Sequence, residues 1–222
     1  LGMRAARLAL ERAGISPEDL GACVGCTCSA DSAAPTVAST IQRDLGLPKH
    51  IPYFDLNAGC SGFLYGLHVT RGLLLQSDKP FGDGAGAVVV KLEEAPYAYT
   101  LGAEGSDDVI YIGGYGSKEP YIHMEVQKTF RFAVEMVPWC IHELLGQSGL
   151  KLEDIDWFVL HQANKRIIDH VAKKLGMPGE RFYQNIAHYG NTSAASIPIA
   201  LDEMAEQGLL KRGQKLLCVG FG

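Results

Sequence analysis

The 222-residue sequence contains no apolar run of the length a membrane-spanning helix needs. Its first residues, LGMRAARLALERAG, do not form a secretory signal: Arg4, Arg7, Glu11 and Arg12 interrupt the apolar positions and predict an amphipathic helix. A cytoplasmic protein is expected, with no membrane partner. Positive charge is also scarce. Lys and Arg number 20 against 25 Asp and Glu, a net charge of −5, which argues against a general nucleic-acid binder because phosphate neutralisation needs clustered cations. Metal-ligand spacing is missing too. Cys23, Cys26 and Cys28 lie close together, but no second Cys or His pair follows at a spacing that would complete a zinc site. The segment ACVGCTCSA reads instead as a buried strand in which thiols act as small hydrophobes. No metal is expected.

What the sequence does have is a repeat. Residues 13–24, AGISPEDLGACV, match residues 148–159, SGLKLEDIDWFV. Each follows an amphipathic helix, at 1–13 and about 127–147, and runs through a polar Glu-Asp stretch into an apolar strand. Downstream, helix 35–45 ends in LGLP and helix 164–175 ends in LGMP, followed by strands YFDLNA (53–58) and RFYQNI (181–186). Each strand leads through glycine to a polar residue that opens another helix, Cys60 in the first half and Asn191 in the second. The offsets are 135, 130 and 131 residues.

Strands alternating with helices of roughly 10–15 residues imply βαβ units and a mostly parallel sheet covered by helices. Two related units predict an α/β layered sandwich of two duplicated halves, residues 1–95 and 96–222, in which corresponding helix starts meet at a pseudo-twofold axis. Cys60 and Asn191 would then face one another. The second half carries a strand QKLLCVGF (214–221) after its last helix, whereas helix 60–76 runs through SDKP into FGDGAGAVVV with no counterpart. The chain also begins inside a helix and stops at a glycine-rich turn. These features predict a longer protein whose pieces are numbered continuously, with a break between about residues 77 and 82.

Three residues stand out chemically. Cys60, in NAGCSGFLYGL, sits at a strand-to-helix junction, where unpaired N–H groups lower a thiol pKa and hold an oxyanion. An inert cysteine at a helix start would fit the same pattern. His161 ends the strand DWFVLHQ at its carboxyl end, where ligands collect in α/β sheets, although a polar residue closing a strand is commonplace. Of the other histidines, 68 and 142 fall on helices, 50 and 123 in loops, and His170 on a solvated helix face. Asn191 is a good helix N-cap, and the small residues Thr192 to Ser196 after it predict close helix packing around a buried amide. FGDGAG leads into a strand rather than a helix, so it reads as a turn and not as a phosphate loop. Helix 164–175 sets Arg166, His170, Lys173 and Lys174 opposite an apolar face of Ile167, Ile168, Val171 and Leu175, a basic surface suited to an acidic partner or to plain solvation.

AGCSGF, HQANKRII, YGNTSAASIP, FGDGAG and the terminal VGFG, taken in order, resemble β-ketoacyl-acyl carrier protein synthase III, the condensing enzyme that initiates type II fatty-acid synthesis. The resemblance covers nearly all of the chain. It implies a thiolase-like α/β/α/β/α sandwich, usually homodimeric, that uses no metal or redox cofactor. It also implies the roles. Cys60 takes an acyl group from acyl-coenzyme A, with backbone N–H groups at Cys60 as oxyanion hole. His161 and Asn191 stabilise the enolate left when malonyl-acyl carrier protein loses carbon dioxide. Gln162, Ala163, Asn164, Lys165 and Arg166 form the carrier-protein docking segment, with Lys173, Lys174 and Arg131 adding charge.

Thiolases replace the asparagine by a second cysteine, and Cys218 is not in a matching motif. Type III polyketide synthases share Cys-His-Asn and stay as an alternative, as do a Cys-His thioester hydrolase and an inactive scaffold. Departures are visible as well. Val126 and Gln127 stand where relatives commonly have Gly-Asn, and Ala33 and Ala34 where they often place a bulky acyl-pocket residue, so longer or branched primers are expected.

Overall fold

The computed structural model describes residues 1–75, 81–82, 88–90, 97–105, 109–113, 118–119 and 121–222. Helix α1 (Gly2–Ala13) turns Ala6 and Leu10 inward and leaves Arg4, Arg7 and Glu11 in solvent. A 3-10 turn (Pro17–Asp19) leads to β1 (Ala22–Cys26), then α2 (Val37–Leu45) and β2 (Tyr53–Leu56). The start of α2 is held twice. The Thr36 hydroxyl accepts from the Ser39 N–H at 3.1 Å, and the Asp55 carboxylate accepts from Val37 and Ala38 N–H at 2.8 and 2.9 Å. Both satisfy donors that a helix N-terminus leaves open. Gly25 makes this possible, because a Cβ there would collide with Asp55 Oδ1.

A second 3-10 turn (Gly59–Ser61) opens α3 (Gly62–Leu74), followed by β3 (Phe81–Gly82) and β4 (Val89–Val90). β1 pairs in parallel with both β2 and β3, and β3 pairs antiparallel with β4. A hairpin of β5 (Ile110–Ile112) and β6 (Ile122–Met124) precedes the long α4 (Val126–Ser148). Then come β7 (Trp157–Leu160), α5 (Lys165–Lys174), the short α6 (Ile186–Tyr189), α7 (Ser196–Glu206) and β8 (Leu216–Val219), which pairs in parallel with β7.

Alternation along the central strands sets the layers. In β1, Cys23 packs with Ala6, Leu10, Ala38 and Ile41 of α1 and α2, while Ala22 packs with Leu73 and Leu74 of α3. In β7, Phe158 and Leu160 join α4 and α5, while Val159 meets Phe63 of α3 and Ile197, Ala200 and Met204 of α7. The order is therefore α1/α2, sheet, α3/α7, sheet, α4/α5. At its centre the 3-10 turn before α3 touches the one before α7, Ser193–Ala195. The duplicated sandwich expected from the repeat is present, and corresponding helix starts do meet.

Three details differ from the sequence reading. Segment 181–186 is not a full strand: it holds one bridge, Phe158 to Phe182, and leaves the ladder because the Asn185 N–H is taken by Gln162 Oε1 at 3.0 Å. His123 lies in β6, not in a loop. The first half is not without a counterpart of β8, because β3 pairs beside β1 as β8 does beside β7. The break expected between about residues 77 and 82 falls mostly on residues 76–80, which, like 83–87 of the FGDGAG segment, lie outside the described residues. Among the described residues no helix is long and apolar enough to cross a membrane.

Candidate active site

Four chain segments converge where the two central 3-10 turns touch. Cys60 sits within the first turn, half-buried. Ser193 of the second turn donates from Oγ to Cys60 Sγ at 3.4 Å. The same hydroxyl lies 3.6 Å from Cys28 Sγ, just beyond β1. Approach this close depends on small residues: a Cβ at Gly62 would sit 3.2 Å from Ala194 Cβ, and one at Gly222 would sit 3.0 Å from Cys60 Cβ. Gly222 therefore lies directly against Cys60.

Asn191 is tied to this turn. Its Oδ1 accepts from the Ser193 N–H at 2.9 Å, which leaves the amide nitrogen as an outward donor. The expected buried amide is not what is found, since Asn191 is exposed; the backbone N–H of Ser193 gives its oxygen a partner without enclosure. Gly190, with φ of 68°, lets the chain leave α6 and reach this position.

His161 follows β7 and prolongs its ladder, donating from its backbone N–H to Val219 O at 2.8 Å. Its ring is 1% exposed, lies edge-on to Phe221 at 5.2 Å, and places Nδ1 2.6 Å from Ser196 Oγ at the start of α7. Ser193 and Ser196 thus connect the cysteine and the histidine to one short stretch, three residues apart. Neither serine was singled out in the sequence, and the only signal for them was the run of small polar residues after Asn191.

Burial governs the protonation states. It pushes the Cys60 thiol up, Cys28 adds to that rise, and the Ser193 hydrogen bond opposes it. Burial of this half-buried sulfur thus works against the lowering expected of a thiol at a helix start. His161 is pushed down to about 4 by burial, so its imidazole is neutral at physiological pH. Cys218, within β8, is pushed up to about 12 by burial and stays a thiol, unsuited to act as a second catalytic cysteine. Among the described residues no group of three His, Cys, Asp or Glu side chains is placed to hold a metal ion.

The expected docking segment divides. Asn164 caps α5 by accepting from the Arg166 N–H at 2.9 Å, and Lys165, Arg166, Lys173 and Lys174 are exposed. Lys165 pairs with Asp169 at 2.7 Å. Ala163 is half-buried, and Arg131 is exposed on α4, one residue beyond Phe130, whose ring lies 6.1 Å edge-on from His170. Gln162 does not belong with them. It is 1% exposed, donates from Nε2 to Leu160 O and Tyr183 O, and accepts from Asn185 N, so its carboxamide is spent inside the protein. Lys174 also has a structural partner, donating to Val134 O at 3.1 Å. Ala33 and Ala34 are exposed in the loop before α2.

Residues 145–222 match the family model described as the C-terminal part of 3-oxoacyl-[acyl-carrier-protein] synthase III. The β-ketoacyl-[acyl-carrier-protein] synthase III of Clostridium acetobutylicum is 37% identical over 259 aligned positions, covering 100% of this chain and 79% of the relative. That of Coxiella burnetii (strain RSA 493) is 36% identical over the whole chain and 79% of its own length. Among solved structures, the Thermus thermophilus synthase III superposes with a TM-score of 0.90 at 30% identity, covering 100% of this chain and 79% of that one. The Aquifex aeolicus enzyme gives 0.88 at 32% identity, over 98% and 78%.

Proposed function

Because this chain belongs to the β-ketoacyl-[acyl-carrier-protein] synthase III family, we propose that it joins an acyl-coenzyme A primer to malonyl-acyl carrier protein by decarboxylative condensation, starting fatty-acid synthesis. Cys60, from the half spanning residues 1–95, is the nucleophile. Its Sγ bonds to the acyl carbon as the bond to the coenzyme A sulfur breaks, and the thiol proton leaves with the coenzyme A thiol. Backbone N–H groups at Cys60 receive the oxyanion. Malonyl-acyl carrier protein then binds, and loss of carbon dioxide leaves an electron pair delocalised onto the thioester oxygen. His161 and Asn191, from residues 96–222, donate hydrogen bonds to that oxygen. The carbanion attacks the acyl carbon on Cys60, a C–C bond forms, and the sulfur departs as a thiolate that regains a proton from solvent.

The observation that carries this reading is the sharing of one turn. Ser193 donates from Oγ to Cys60 and from its N–H to Asn191. Cys60 and Asn191, far apart in sequence, are thereby tied to the same residue, which supports their acting on one substrate. The chemistry draws on no further cofactor. The exposed cations Arg166 and Lys173 of α5, with Arg131 nearby, suit the acidic carrier, and a homodimer in the cytoplasm is the expected form.

Half-reactions test the assignment. His161→Ala and Asn191→Ala should still take an acyl group onto Cys60 while losing roughly 100-fold or more in malonyl decarboxylation. Loss of acylation with decarboxylation intact would reverse the roles.

A further inference from the structure

We infer that Ser196 is a positioning residue which holds His161 as the Nε2–H tautomer, so that the ring offers the reacting thioester a donor. This rests on the condensing reading for its purpose, though not for its geometry. Ser196 Oγ lies 2.6 Å from His161 Nδ1 and 3.3 Å from the backbone nitrogen of Gln162. The Gln162 N–H can only donate, so it occupies a lone pair of the hydroxyl oxygen. Ser196 has one proton to give, and Nδ1 is the short partner. Were Nδ1 protonated instead, the oxygen would receive two donors and its own proton would need a further acceptor. Both side chains are nearly sealed, 1% exposed for His161 and 2% for Ser196, and a buried donor without a partner is costly.

The assignment of the proton to Ser196 leaves Nδ1 bare and puts the ring's only N–H on Nε2. Phe221, edge-on to the ring at 5.2 Å, hinders its rotation, and burial keeps the imidazole neutral. The result is a neutral donor at the same oxygen that Asn191 addresses. A tautomer fixed by the partner of the other ring nitrogen is a general device in histidine sites. Ser196 does not touch substrate in this arrangement; it acts through the ring.

The test uses the full chain with 15N-labelled histidine, the His161 signals being those absent from His161→Gln. The wild type should show a protonated Nε2 and an unprotonated Nδ1, and Ser196→Ala should shift the population toward the other tautomer. Ser196→Thr, which keeps the hydroxyl, should restore the wild-type pattern. In the same Ser196→Ala protein, kcat for malonyl-carrier decarboxylation should fall about 10- to 100-fold with KM little changed and with Cys60 still acylated. An Nδ1–H signal in the wild type overturns the inference, even if Ser196→Ala does not fold. So does an unchanged tautomer ratio in a folded Ser196→Ala. A wild type with the expected tautomer but no decarboxylation would instead overturn the condensing reading alone.

Discussion

His161 combines a ring sealed from water with a task that needs only a neutral donor. The folded protein takes up a proton on this ring near pH 4, against 6.5 for the free side chain. Between those values the unfolded chain holds more protons, so stability falls as pH falls. The shift corresponds to about 3 kcal/mol, present above pH 6.5 and gone near pH 4. Urea unfolding of wild type and His161→Gln at pH 7.5 and 5 should show the wild type losing about 2 kcal/mol more across that interval. Equal losses would mean that the ring is not buried as described. That His161 ends a strand was legible from the apolar run before it. That it would be buried beside a hydroxyl was not, because Ser196 is 35 residues away and only the packing of α7 on β7 brings it there.

At the scale of elements, α4 contains Pro138, which has no N–H to give to the carbonyl four residues earlier. That carbonyl belongs to Val134, and Lys174 at the end of α5 donates to it. The proline and the lysine therefore join two helices that already pack together. Lys174→Ala should cost about 1 kcal/mol in chemical unfolding, and less in a Pro138→Ala background, where the backbone N–H returns. Identical costs in the two backgrounds would show that the lysine bond does not answer the proline. The sequence announced the helices well, since α1, α2 and α5 begin and end within about two residues of their periodic patterns. It announced the partner of a surface lysine poorly, because a cation whose target lies 40 residues away on another helix looks the same as one in solvent. Gln162 failed in the opposite direction: its place in a polar motif suggested a docking contact, yet three backbone groups claim its carboxamide.

Across the whole molecule, the repeat was the most informative feature of the sequence. It located the meeting of the two central turns because duplicated helix starts must lie close to the axis that relates them, and Cys60 and Ser193 touch there. The local partnering of that site was hidden, since serines and alanines carry no periodic signal. The proposed docking face also belongs to this scale, as α5 and α4 jointly present it. Arg166→Glu and Lys173→Glu should raise KM for malonyl-carrier protein, by about 10-fold together at low salt and less at high salt, with acyl-coenzyme A turnover into acyl-enzyme unchanged. A salt-independent KM, or no change on charge reversal, would remove α5 from the docking face.

The most direct measurement is intact-protein mass spectrometry of a chase. The protein is first incubated with acyl-coenzyme A and then supplied with malonyl-carrier protein. A single acyl mass, mapped to Cys60 and lost in step with carbon dioxide release and a β-ketoacyl-carrier product, is the expected result. Acyl-enzyme that decays to free acid without carbon dioxide would make the protein a hydrolase, and a chain that never gains the mass would make it a scaffold.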